Sequence, residues 1–174
     1  MLQGQCRLAI EDYTRALTTR QYFQSYFNRA NCYSILGQYD LALLDYNGSL
    51  SISPDSAEAY NNRGIIYKKQ GLLDLAMDDY NKTITLNPRY AEAYNNRGNV
   101  YREKKQYDLA IAEYNKALKL DPQYALSYFN RSLTYQAEGE IANALEDALK
   151  AASLGLKDEN YINTLRKRLL ENKG

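Results

Sequence analysis

Four arginines, Arg29, Arg63, Arg97 and Arg131, stand 34 residues apart, and each directly follows an asparagine: Asn28, Asn62, Asn96 and Asn130. Sixteen residues after each arginine comes an acid, namely Asp45, Asp79, Glu113 or Asp147. A guanidinium can grip a carboxylate through two parallel N–H···O bonds. A carboxamide both donates and accepts. Side chains of these types at this spacing suit structural ion pairs and a hydrogen-bonding surface. They do not suit catalysis. The chain has no histidine, which removes the usual general base, the common zinc ligand and every Ser-His or Cys-His nucleophile pair. No Gly-rich phosphate loop occurs, and no acid pair stands apart from the repeating pattern. Cys6 and Cys32 form neither a metal site nor a disulfide framework by their spacing, and read as reduced thiols. A non-enzymatic protein with no metal and no cofactor is expected.

Composition narrows the partners. Lys and Arg number 22 against 21 Asp and Glu, so no excess of positive charge marks a phosphate-binding surface, and nucleic acid is not expected. No apolar run reaches the ~18 residues that a membrane span requires. The first residues, MLQGQCRLAIEDY, lack the basic segment, apolar core and cleavage site of a signal peptide. An intracellular, cytoplasmic protein is expected.

The elements that must position the arginines follow from the repeat. AEAYNNRG is written at residues 57–64 and again at 91–98. Numbering the unit 57–90 from 1 to 34, Tyr stands at 4, 11 and 24, Gly at 8, Ala at 20 and Pro at 32. Positions 4, 8 and 11 share one face of a first helix, and positions 20, 24 and 27 one face of a second. Gly71 ends the first helix. Asn87-Pro88 closes the unit, because proline cannot continue a helix but can begin the next. The small residues at 8 and 20 let the two helices approach, and the tyrosines fill the space around them. A fixed period of this size is the mark of a stacked-repeat protein.

These residues resemble the tetratricopeptide repeat. Position 8 is small in all four units (Ala30, Gly64, Gly98, Ser132), position 11 is always Tyr and position 20 always Ala. The fourth unit departs at 24 and 32, with Ala148 and Leu156. The resemblance implies an all-α fold, a right-handed α-solenoid of stacked antiparallel helix pairs, as a single domain over 1–174. It divides into a half repeat with only its second helix (1–22), repeats at 23–56, 57–90, 91–124 and 125–158, and a capping helix at 159–174. In the half repeat Leu8, Ala9, Tyr13 and Ala16 should lie against the next helix. In the cap, Ile162, Leu165 and Leu169 should face inward. Position 7, where the family commonly has leucine, here carries the arginines, with first-to-second-helix ion pairs Arg29–Asp45, Arg63–Asp79, Arg97–Glu113 and Arg131–Asp147. Lys68, Lys69, Arg102, Lys104 and Lys105 close two first helices, where cations complement the macrodipole.

The first helices of such a solenoid make its concave wall. Positions 2, 5, 6, 9, 12 and 13 are expected there. The asparagines at position 6 resemble the asparagine ladder in the repeat region of O-linked N-acetylglucosamine transferase, which implies that Asn28, Asn62, Asn96 and Asn130 clasp the main chain of an extended peptide. Asn61 and Asn95, Phe27, Ile65, Asn99, Phe129 and Leu133 complete the groove, Leu126 adds a pocket residue, and Glu58 and Glu92 act as charged gates. The expected function is a protein–protein interaction scaffold for an extended peptide. The alternatives are self-assembly through the open half repeat, or a docking domain cut from a larger enzyme. Capture of a chaperone C-terminal tail is not expected: position 2 reads Gln24, Glu58, Glu92 and Leu126, where the family's tail-binding members need cations.

Overall fold

The computed structural model of the chain describes residues 2–20 and 22–171, all of whose regular structure is helical. Two compact units divide the chain at Pro88. The first holds α1 (Leu2–Thr19), α2 (Phe23–Ile35), α3 (Tyr39–Ile52), α4 (Ala57–Lys69) and α5 (Leu73–Leu86). The second holds α6 (Ala91–Glu103), α7 (Tyr107–Leu120), α8 (Ala125–Glu138), α9 (Ile141–Ser153) and α10 (Glu159–Glu171). Within each repeat the first helix packs on the second: α2 on α3, α4 on α5, α6 on α7 and α8 on α9.

Every first helix stops by one device. The N–H of Gln38, Leu72, Gln106 and Glu140 donates back to the carbonyl of Tyr33, Tyr67, Tyr101 and Tyr135, at 2.9 Å each time. That closure needs a left-handed residue just before the donor. Gly37, Gly71 and Gly139 supply it with φ of 73°, 76° and 86°, but the third repeat uses Lys105 at φ 58°. A Cβ in this conformation costs roughly 1–2 kcal/mol. Lys105→Gly is therefore expected to raise stability by about 1 kcal/mol, read as a higher urea midpoint. The same change at its neighbour Lys104, whose φ is −78°, should give no gain. Between repeats, Pro54 and Pro122 sit in the connecting turns, not in the first turn of the next helix as the sequence suggested. Ser56 caps α4 instead, its hydroxyl accepting from the Ala59 N–H at 3.3 Å.

The cores are made by the small and aromatic positions. Ala42, Ala76, Ala110 and Ala144 are wholly buried, as are Tyr80 and Tyr114, with Tyr46 only 1% exposed. The tyrosines at positions 4 and 11 are half-buried and flank the core instead of filling it. Gly64 and Gly98 allow close approach: a Cβ on them would stand 2.8 and 2.7 Å from a ring carbon of Tyr80 and Tyr114. In the first unit Phe27, Leu50, Ala59 and Ile66 join this core.

The ends differ from the sequence expectation in one place. Leu8 is 68% exposed, and Cys6 takes the buried position on α1. Leu8 aligns with Leu41 and Leu75, which are also exposed, so this position faces outward in each of these second helices. In α10, Ile162 and Leu165 are buried and Leu169 packs beside them. Tyr161 brings its hydroxyl to Ser132 at 2.9 Å and its ring edge to Phe129, 5.6 Å between centroids.

Candidate functional site

In the first unit, the first helices α2 and α4 contact each other. Between them, over α3, lies a recess of about 370 Å³ lined by Asn31, Ser34, Ile35, Tyr46, Asn62 and Ile65. Its polar groups are ordered from below. The Tyr46 hydroxyl donates to Asn31 Oδ1 at 2.6 Å, and Asn62 Nδ2 donates to the same oxygen at 3.2 Å. Two donors fill that oxygen, which leaves the N–H groups of the Asn31 amide for a ligand. Burial pushes the Tyr46 phenol well above its usual range; the Asn62 amide partly offsets this and the charge of Glu58 adds to it. Tyr46 is thus a permanent neutral donor. Asn28 is half-buried beside the recess and accepts from Gln24 Nε2 at 2.9 Å. Ile65 is half-buried and Glu58 exposed.

Two groove expectations in this unit need correction. Asn61 is wholly buried and donates to Asn62 Oδ1 at 3.4 Å. Phe27 is buried and stacks on Phe23, 5.5 Å between centroids. Position 5 lies one residue, about 100° of helix, from the open face, and that rotation carries it into the core.

The second unit varies the theme. Asn96 and Asn99 are half-buried, and Tyr114, its phenol pushed up to about 12 by burial, donates to Asn99 Oδ1 at 2.9 Å. Asn95 is wholly buried and donates to Asn96 Oδ1 at 3.4 Å. Asn130 is buried as well, its Nδ2 given to Asn95 Oδ1 at 2.9 Å. This corrects the expectation for Asn95 and Asn130: α8 packs against α6 in this unit, and both amides are used in that seam. Phe129 and Leu133 are half-buried, while Glu92 and Leu126 are exposed.

Sequence reasoning put position 9 on the open wall but named Ile65, Asn99 and Leu133 there and not Asn31, and it gave Tyr46 only a core role. A signal was present: Asn31 and Tyr46, like Asn99 and Tyr114, stand at positions 9 and 24 of their repeats, fifteen residues apart.

The arginines lie away from this recess, and Arg29, Arg63 and Arg131 sit at three-helix junctions. Arg63 Nε and Nη2 donate to the two oxygens of Asp79 at 2.8 and 2.7 Å, and Nη1 donates to Asn47 on the preceding second helix. Its guanidinium lies over Tyr60 and Tyr67, at 5.4 and 5.6 Å. Arg29 repeats the arrangement with Asp45, Thr14, Tyr26 and Tyr33, and Arg131 with Asp147, Asn115, Tyr128 and Tyr135. Arg97 holds a single oxygen of Glu113 at 2.8 and 2.6 Å, while Lys116 takes the other at 2.7 Å. Burial works against the charge of Arg63, yet Asp79 more than offsets it and holds the guanidinium above its usual range.

A family model described as "TPR repeat" matches residues 30–71 and 98–139, and two described as "Tetratricopeptide repeat" match 57–90 and 79–112. Together they cover 30–139 without a gap. The chain belongs to the tetratricopeptide repeat family. Among solved structures, a crystal structure of MamA is similar with a TM-score of 0.77 at 26% identity, covering 87% of this chain and 89% of that one. A second crystal structure of MamA gives 0.75 at 26%, covering 87% and 83%. TTC0263, a thermophilic tetratricopeptide repeat protein of Thermus thermophilus, gives 0.76 at 23% identity over 96% and 92% of the two chains, a likeness of fold. No curated protein matches the chain. Tetratricopeptide repeats serve in general as scaffolds for protein–protein interaction, and the chain carries such repeats. No helix among the described residues is long and apolar enough to cross a membrane.

Proposed function

We propose that the protein holds an extended segment of a partner protein against the first helices, with asparagine amides binding its main chain. In the first unit the segment crosses α2 and α4 over Asn28 and Asn62, and one of its side chains enters the recess. The saturated oxygen of Asn31 supports this reading most strongly, because the hydroxyl below fixes the amide with its donors unspent. The second unit repeats this in part: Asn96 and Asn99 are half-buried on α6 with Tyr114 donating to Asn99, while Asn130 is spent on Asn95. Main-chain bonding is indifferent to the partner's side chains, so it sets register and not identity.

Magnitudes divide the labour. Each net hydrogen bond contributes ~0.5–1.5 kcal/mol, whereas a micromolar complex needs ~8 kcal/mol. Burying an aliphatic side chain in the recess adds ~1.5–3 kcal/mol. Amides and recess must act together. Asn31→Ala with Asn62→Ala is expected to weaken binding of a display-selected peptide about tenfold or more. The doubly substituted chain should still unfold cooperatively but melt lower, because the buried Tyr46 hydroxyl and Asn61 amide lose these acceptors. Tyr46→Phe, which keeps the ring at the floor of the recess, should weaken binding about threefold by releasing the Asn31 oxygen. Titration calorimetry showing wild-type affinity in both variants would remove the proposal.

A second reading, association of copies, is favoured by Leu8 and Leu44, which are 68% and 65% exposed on second helices of the first unit. Light scattering decides it: a monomeric mass at micromolar concentration sets it aside.

A further inference from the structure

Asn62 stands mid-way along the open face of α4, four residues after Glu58 and three before Ile65. Those spacings place all three on one side of the helix, about 6 Å and about 4.5 Å apart along its axis. Ile65, with Ile35 of α2, gives the recess its apolar walls. Glu58 lies beyond the recess on the opposite side of Asn62. It is exposed and makes no ion pair among the described residues. Gln24, its counterpart on α2, is neutral and bonded to Asn28. The cations of α4, Lys68 and Lys69, stand at its far end, ten and eleven residues or about 15 Å along the axis from Glu58, and Lys69 leans over the Tyr39 ring at 5.5 Å, toward α3.

An extended segment turns successive side chains to opposite sides of its path. Crossing α4 over Asn62, it has a carboxylate on one side and an apolar recess on the other. We infer that the first unit selects a segment in which Lys or Arg stands one or three residues, an odd number, from the apolar residue that fills the recess. An even separation would bring both side chains to one edge and leave either Glu58 or the recess unused. This rests on the peptide reading given above, and adds to it a partner chemistry: a basic-apolar strand whose charge is read by Glu58 and whose bulk is read by Ile35 and Ile65.

The test is a random-peptide display library selected on the full chain, with separations between basic and apolar residues tallied in the enriched pool. Odd separations are expected to exceed even ones. A selected Lys-containing peptide should then bind Glu58→Lys about tenfold more weakly, and the same peptide with Lys replaced by Glu should recover that loss on the variant. Glu58→Gln, which keeps size and removes charge, should fall between. Thermal melts confirm that the variants fold. Peptides that lose affinity on Asn31→Ala with Asn62→Ala, yet show even separations or ignore Glu58→Lys, overturn the charge-and-parity rule and leave the peptide face standing. Peptides indifferent to the asparagine changes overturn both.

Discussion

Arg63→Leu lowers the stability of the folded chain by about 3–5 kcal/mol, the usual cost of removing one partner from a buried pair. Adding Asp79→Leu restores most of the loss. The asymmetry follows from burial: the Arg63 and Asp79 side chains are only 19% and 6% exposed, so each charge is tolerable because the other is present. The pair itself is not a large net stabiliser, since its attraction is spent on desolvation. A residual deficit of about 1 kcal/mol should persist in the double variant, reflecting the lost contacts with Tyr60 and Tyr67. Urea unfolding of the four chains in this cycle measures the coupling, and additive effects would show that the pair does no structural work.

The same experiment has a pH signature. Burial already pushes the Asp79 carboxyl up, and Arg63 pulls it partly back. Without the arginine it must rise further. A carboxyl raised above its unfolded value stabilises the fold below the ordinary carboxylate range, and that contribution is lost as pH rises through the raised folded value. Arg63→Leu is therefore expected to regain stability as pH is lowered from neutrality, with a steeper slope than the parent chain. A parallel pH profile would mean that the acid finds another cation.

Gly98→Leu is the second large effect, a loss of about 3 kcal/mol at the upper end of overpacking costs. Even a Cβ there would approach Tyr114 Cε1 to 2.7 Å, and that ring is wholly buried with no room to withdraw. Gly98→Ala gains ~1 kcal/mol of helix propensity but meets the same ring, and a net loss is expected. The equivalent position in the first repeat already holds Ala30, fully buried. Ala30→Gly should also destabilise, through lost propensity and a gap against Tyr46. Losses in both directions, seen by thermal melting, would show that each helix pair has settled at the separation its own small residue sets. A stabilised Gly98→Ala would contradict this.

Much of this architecture is legible in the residues because the period does the aligning. Arginine at position 7 and an acid at position 23 recur on two helices joined by one turn, so their meeting needs only the helix pair to form. Lys105 shows the same logic: nothing about lysine suggests a left-handed backbone, but its alignment with Gly37, Gly71 and Gly139 does. What the letters do not carry is the width of the open face. Asn61 and Asn62 are adjacent and identical in type, yet one is wholly buried and the other lines a recess. The boundary between them depends on how neighbouring helices close on one another. Asn130 fell on the wrong side of that boundary because α8 closes on α6. Hydrophobicity alone turns Leu8 inward, although the same position in α3 and α5 faces out.

The arginine junctions also bear on how the array unfolds. Three of them grip their own second helix through a carboxylate and the preceding second helix through a side-chain oxygen, that of Thr14 for Arg29, Asn47 for Arg63 and Asn115 for Arg131. Neighbouring repeats within a unit are thereby tied by a directional polar bond as well as by apolar packing, and cooperativity in a linear array resides in such nearest-neighbour terms. Weakening the tie alone would blur the melting of a unit, letting one repeat fray while its neighbour stays folded. The sharpness of its transition is thus written in the amide side chains outside the core.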